Sequence, residues 1–172
     1  MTIEEPKFTL ALKDGAFELR DYAPMVVAEI TVIGDQQAAG RRGFRRLAGY
    51  IFGANTRREK IAMTAPVTQT PGAGDWLVRF TMPGRLALAD LPKPDEADVI
   101  LRAIPAARLA VWRFSGLTGE AKVAAEMARL MSTLKTRGLV PTGPASIARY
   151  DPPWIPWFLR RNEVMCPVAV PA

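Results

Sequence analysis

GDQQAAGRRGFRRLAGYIFG, residues 34–53, is the stretch that decides the fold. Its apolar residues Phe44, Leu47, Ala48 and Ile51 recur at i, i+3, i+4 and i+7, the stripe of an amphipathic helix. Asp35 stands where a side chain can cap the first turn, and Gly53 where a helix stops. Gly40, Gly43 and Gly49 lie inside it and each costs about 1 kcal/mol relative to alanine, so tertiary packing must hold this helix. Upstream, FELRDY (17–22) and MVVAEITV (25–32) read as strands separated by Ala23-Pro24, since proline cannot continue a ladder. Downstream, KIAMTAPVTQ (60–69) and WLVRFTMP (76–83) read as strands joined by the turn-rich TPGAGD. The unit is ββαββ.

The remainder of the chain repeats this order. ADVILRAI (97–104) and RLAVWRFS (108–115) are strands around Pro105. TGEAKVAAEMARLMSTLKTRG (118–138) is a helix with Val123, Met127, Leu130 and Leu134 on one face, Thr118 as its cap and Gly138 as its stop. SIARY (146–150) and RNEVMCPV (161–168) complete the pattern. Pro24 and Pro105, Gly34 and Gly116, and Gly53 and Gly138 correspond, with a period of about 80 residues, too long for a solenoid. The expectation is a single domain over 1–172 with half-repeats at about 15–83 and 97–169, joined by the surface connection 84–97. The fold class expected is α+β: an eight-stranded antiparallel barrel built from two pseudo-symmetric ββαββ halves, with two flanking helices.

Bulk composition narrows the function. A chain of 172 residues with 49% hydrophobic and 23% charged residues buries a core without staples. Its one cysteine, Cys166, cannot form an intrachain disulfide, which fits a reducing compartment. The N-terminal stretch lacks the features of a signal peptide, and no apolar run reaches membrane-span length, so a cytoplasmic location is expected. The net charge of +6 centres on Arg41, Arg42, Arg45, Arg46, Arg57 and Arg58. This cluster lacks the interleaved aromatics of a single-strand binder, and no nucleic-acid motif accompanies it. With no histidine in the chain, Ser-His, Cys-His and His-metal arrangements are ruled out, and no acid/base pair or phosphate loop stands out. A binding protein, not an enzyme, is expected.

Four segments in order resemble one family. They are GYIFGANTRREKIAMTAPVTQ (49–69), LADLPKPDEADV (88–99), AVWRFSG (110–116) and YDPPWIPWFLRRNEV (150–164). Together they resemble the SOUL, or haem-binding-protein, family from about Phe17 to Val168. The resemblance implies a distorted eight-stranded barrel of two similar halves with two helices. It also implies a small-molecule tetrapyrrole ligand, haem or a related porphyrin, in a shallow apolar site beside the first helix. The family's haem-contact positions, an arginine and an apolar residue three further on, fall on Arg41 and Phe44. A related architecture, the GyrI-like small-molecule-binding module, would instead place a carboxylate in a cleft for another amphipathic ligand, and Glu29 and Glu163 are its candidates.

Haem needs flat apolar contact, cations for two propionates and, in many sites, an axial ligand. Arg41 lies roughly 60° and Arg45 roughly 100° from Phe44 around the helix, so both edge the apolar stripe. The binding set expected is Arg41, Phe44, Arg45, Leu47, Ala48, Ile51 and Met63. Axial candidates are Met63, Cys166, Tyr22, Tyr50 and Tyr150, and reversible binding without an axial ligand is the main expectation. Asn55 reads as a turn residue and Glu163 as half of an ion pair with arginine. Trp154, Trp157 and Phe158 read as an apolar cap, with an exposed patch for a partner or membrane surface as the alternative.

Overall fold

The computed structural model describes residues 2–171. It is an α+β fold of antiparallel strands and two α-helices, the class expected. The strands are β1 (Phe8–Asp14), β2 (Phe17–Tyr22), β3 (Met25–Ile33), β4 (Val67–Pro71), β5 (Asp75–Thr81), β6 (Ile100–Ile104), β7 (Ala107–Ser115), β8 (Ser146–Arg149) and β9 (Arg161–Pro167). The helices are α1 (Gln36–Ile51) and α2 (Glu120–Thr136). Nine strands stand among the described residues where eight were expected. The extra one, β1, forms a hairpin with β2 through Gly15, at φ +61° between the paired residues Asp14 and Phe17. That backbone favours glycine, and glycine first in a two-residue loop, here Gly15-Ala16, is a usual hairpin connection.

The described residues fall into two compact units. One comprises Pro24–Pro105 with the residues up to Pro6, the other Lys7–Ala23 with the residues from Ala106 onward. The strand order in the first is β4-β5-β3-β6, with α1 laid on one face. In the second it is β1-β2-β7-β9-β8, with α2 on one face. The opening strand of each sequence half therefore pairs outside that half: β2 pairs with β7, and β6 with β3. The changeovers fall at Ala23-Pro24 and Pro105-Ala106, where a proline interrupts the ladder.

Helix α1 is built as its sequence indicates. The Asp35 carboxylate accepts from the Ala38 N–H at 2.8 Å, and Gly53 leaves the helix at φ +120°. Its buried face carries Ala39, Gly43, Leu47, Tyr50 and Ile51 against Ile30, Val78 and Phe80. A Cβ at Gly43 would stand 2.6 Å from a Val78 methyl, so glycine here sets how closely α1 approaches β5.

Two local expectations need correction. Residues 60–66 of the expected strand KIAMTAPVTQ are not strand; the ladder starts at Val67, after the cis Ala65–Pro66 bond. Thr64 instead makes an isolated parallel bridge with Glu4. Thr118 does not cap α2. The N-cap is Gly119, and the Thr118 hydroxyl accepts from Arg149 Nε at 2.9 Å.

Candidate functional site

Around α1, the six clustered arginines separate by what they touch. Arg42 donates to the Ile33 carbonyl, Arg46 pairs with Glu96 and Asp98, Arg57 donates to the Asp90 carbonyl, and Arg58 pairs with Asp95. Arg41 and Arg45 are exposed and have no hydrogen-bond or ion-pair partner among the described residues. They are one helical turn apart, which sets their Cβ atoms about 5–6 Å from each other on one face. Phe44 stands beside them, 42% exposed, its ring 5.3 Å from that of Phe80. This contact fixes the ring while leaving one side open.

The expected apolar stripe splits in two. Leu47 and Ile51 are fully buried in the core under the helix, where they support the surface and do not form it. Ala48 is at the boundary, nearly buried, and its small side chain leaves a low floor beside Phe44. Phe52, not among the expected contacts, is exposed at the end of α1. Phe44, Ala48 and Phe52 advance roughly 40° per step around the helix, so they form one row that is exposed at Phe44 and Phe52 and passes over the nearly buried Ala48. The i, i+4, i+8 spacing was the available signal; a stripe centred on Leu47 and Ile51 draws attention to the inward face instead. Met63 is partly exposed in the segment that follows the helix.

None of the tyrosines or Cys166 is free to ligate a metal. Cys166 is buried in the core of the second unit, its Sγ 3.5 Å from the Gly143 carbonyl, and burial pushes the thiol's pKa up. Tyr50 donates to the Pro92 carbonyl at 2.8 Å, and burial raises its phenol to about 12. Tyr22 accepts from Arg20 at 2.9 Å, and Tyr150 donates to Glu163 at 2.5 Å. Burial raises both phenols, and for Tyr150 the neighbouring Glu163 charge adds to the rise. Of these candidates, Met63 is the partly exposed residue for which no hydrogen bond is seen among the described residues. No group of three or more acidic or cysteine side chains poised for a metal occurs among the described residues.

Both carboxylates considered for a cationic ligand are occupied. Glu163 receives two hydrogen bonds from Arg20, at 2.8 and 2.9 Å, besides that of Tyr150. Glu18 accepts from the Nε of the same arginine at 2.6 Å. Arg20 belongs to β2 and Glu163 to β9, so the pair spans β7, and all three side chains are buried. Glu29 accepts from Arg79 at 2.6 Å and Arg102 at 2.7 Å. A buried carboxylate matched by guanidinium in this way offers little residual charge to an incoming cation. Asn55 is the turn residue expected: its side-chain amide donates to the carbonyls of Tyr50 and Glu59 and accepts from the Arg57 and Glu59 N–H groups.

The segment expected to form an apolar cap is exposed. Trp154, Trp157 and Phe158 all have more than half of their surface open to solvent. No helix among the described residues is long and apolar enough to cross a membrane.

Comparison with known proteins agrees with the residues above. The family model described as SOUL heme-binding protein matches residues 3–167. Human heme-binding protein 2 is 31% identical over 134 residues, which cover 73% of this chain and 65% of that protein's length. The Xenopus laevis heme-binding protein 1 is 30% identical over 161 residues, 88% of this chain and 84% of that one. Among solved structures, the EcmrR C-terminal domain shares the fold, with a TM-score of 0.63 at 15% identity over 94% of this chain and 98% of that domain. The chain belongs to the SOUL heme-binding protein family.

Proposed function

We propose that this chain is a reversible carrier or buffer of haem or a related porphyrin, a cytoplasmic binding protein without enzymatic activity, and that the ligand lies on the outward face of α1. The observation that carries the reading is the pair Arg41 and Arg45: two guanidiniums with no hydrogen-bond or ion-pair partner among the described residues, one turn apart, beside a half-open Phe44 ring. Haem presents two carboxylates on one edge of a flat apolar ring. Arg41 and Arg45 pair with the propionates, Phe44 and Phe52 give apolar contact, and Ala48 lets the ring approach the helix. Leu47 and Ile51 hold that surface from beneath. The names of the human and Xenopus relatives support haem as the ligand. Bound haem contributes its own iron and redox chemistry; this chain contributes contact and charge. The engaged tyrosines and the buried Cys166 favour binding without an axial protein ligand.

Ferric haem titration followed by Soret absorbance tests the reading, with a saturable one-to-one shift expected. Arg41→Ala and Arg45→Ala each weaken binding up to about fivefold, because an exposed ion pair contributes about 0.2–1 kcal/mol. Phe44→Ala weakens it about tenfold, the effect of losing roughly 60 Å² of apolar contact. Cys166→Ala leaves the spectrum unchanged, and a cationic dye binds less tightly than the porphyrin. No saturable shift, or affinities indifferent to all three α1 substitutions, would overturn the proposal.

A further inference from the structure

The loop between β8 and β9 projects a compact apolar surface into solvent. Trp154 is 79% exposed, and Trp157, Phe158 and Leu159 are each exposed by more than half. The side chains are held in place. Trp157 and Phe158 meet edge to face at 5.6 Å, and Trp157 rests against the Gly116 turn, where a Cβ would stand 3.9 Å from its ring. Leu117, the next residue in that turn, is also exposed. Arg160 ties the loop from within, donating to the carbonyls of Ile155 at 2.9 Å and Pro153 at 2.5 Å. Pro152, Pro153 and Pro156 restrict its backbone further. A loop that solvent merely tolerates has no need of this bracing; a preorganised apolar tip loses little entropy on entering another phase.

Charge identifies that phase. Residues 151–161, DPPWIPWFLRR, carry two arginines, Arg160 on the loop's own carbonyls and Arg161 at 3.6 Å from Glu163, against one carboxylate, Asp151, in a chain of net charge +6. Tryptophan and phenylalanine beside arginine is the composition that settles at the headgroup level of a bilayer, where indole and guanidinium keep polar contacts while the rings reach the acyl boundary. We infer that the 154–159 loop is an interfacial anchor that docks this protein reversibly on an anionic lipid surface. The inference is independent of the α1 site, since it rests on other residues and predicts binding without porphyrin.

Vesicle co-sedimentation of the ligand-free full chain tests it, with tryptophan emission recorded in parallel. Mixed phosphatidylcholine–phosphatidylglycerol vesicles should bind the protein and shift its emission to the blue, and added salt should weaken the association. Trp154→Ser with Trp157→Ser should lower partitioning by about tenfold or more, while circular dichroism and thermal unfolding stay unchanged because both rings are largely exposed. Trp154→Ser alone, at the most exposed position, should give part of that loss. Failure to bind vesicles, or binding indifferent to these substitutions, overturns the inference. So does a double variant that keeps its vesicle binding but loses haem affinity, which makes the loop a ligand wall, or loses self-association in sedimentation, which makes it a contact between copies.

Discussion

Gly43 and Gly49 are the same residue type in one helix, yet they face opposite constraints. A Cβ at Gly43 would collide with Val78, whereas one at Gly49 would meet nothing within 4 Å. Gly43→Ala should therefore destabilise the protein by about 1–3 kcal/mol, the usual cost of overpacking. Gly49→Ala should stabilise it by up to about 1 kcal/mol, as alanine is the better helix former. Thermal and denaturant unfolding of the two variants checks this; equal effects would show that α1 does not sit on β5 as closely as described. From sequence, all three helix glycines looked alike, each a weakness in the pattern. Only contact with the neighbouring strand tells a required glycine from a tolerated one, and that contact involves residues 35 positions apart.

At the scale of elements, periodicity revealed what backbone geometry alone determines and missed what packing decides. The Asp35 cap and the Gly53 stop were legible because capping is local. The first turn of α2 was not, because Arg149, distant in sequence, engages the Thr118 hydroxyl. Strand β1 had a readable alternation at Phe8, Leu10 and Leu12, although its residues are all exposed at a sheet edge. The amphipathic stripe of α1 was legible, but which of its margins faces solvent was not. Arg41 and Arg45 could be named from the sequence; that Arg42, Arg46, Arg57 and Arg58 are already engaged could not, since their partners lie in other elements. The same dependence on distant partners governs Glu29 on β3. Burial pushes its carboxyl pKa up, but the hydrogen bonds from Arg102 and Arg79 outweigh this, and the net shift is downward from the ordinary value of 4.5. A carboxylate depressed in the folded state contributes stability above its unfolded pKa and loses it as pH falls through the folded one. Stability should thus decline below about pH 4.5 through this group. Glu29→Gln should be less stable than the parent at neutral pH, with the gap narrowing in acid. Unfolding midpoints measured from pH 7 to pH 3 test this, and a gap independent of pH would refute it.

At the scale of the whole molecule, the balance of 23 basic and 17 acidic residues acts on any approaching anion. On the proposed reading, a dianionic porphyrin would be drawn toward a chain of charge +6 before it touches α1, and Arg41 and Arg45 would then hold it at the surface, where solvent ions compete. Both stages are sensitive to salt because neither arginine is buried. The apolar share of the proposed binding, on Phe44 and Phe52, would not be weakened in this way. Two dependences should therefore separate by ligand. For a dicarboxylate porphyrin, the association rate should fall as ionic strength rises from about 0.01 to 0.15 M, over which the Debye length shrinks from about 30 to 8 Å. Its dissociation constant should rise severalfold, in keeping with exposed pairs of about 0.2–1 kcal/mol each. For the uncharged diester of the same porphyrin, both quantities should remain flat. Arg41→Ala combined with Arg45→Ala should make the dicarboxylate's dissociation rate resemble that of the diester, while part of the steering survives because the remaining net charge is still positive. Stopped-flow measurement of the two ligands with the parent and the double variant resolves these effects. Equal salt responses for acid and diester would show that the arginine pair does not hold the carboxylates, even if haem binds.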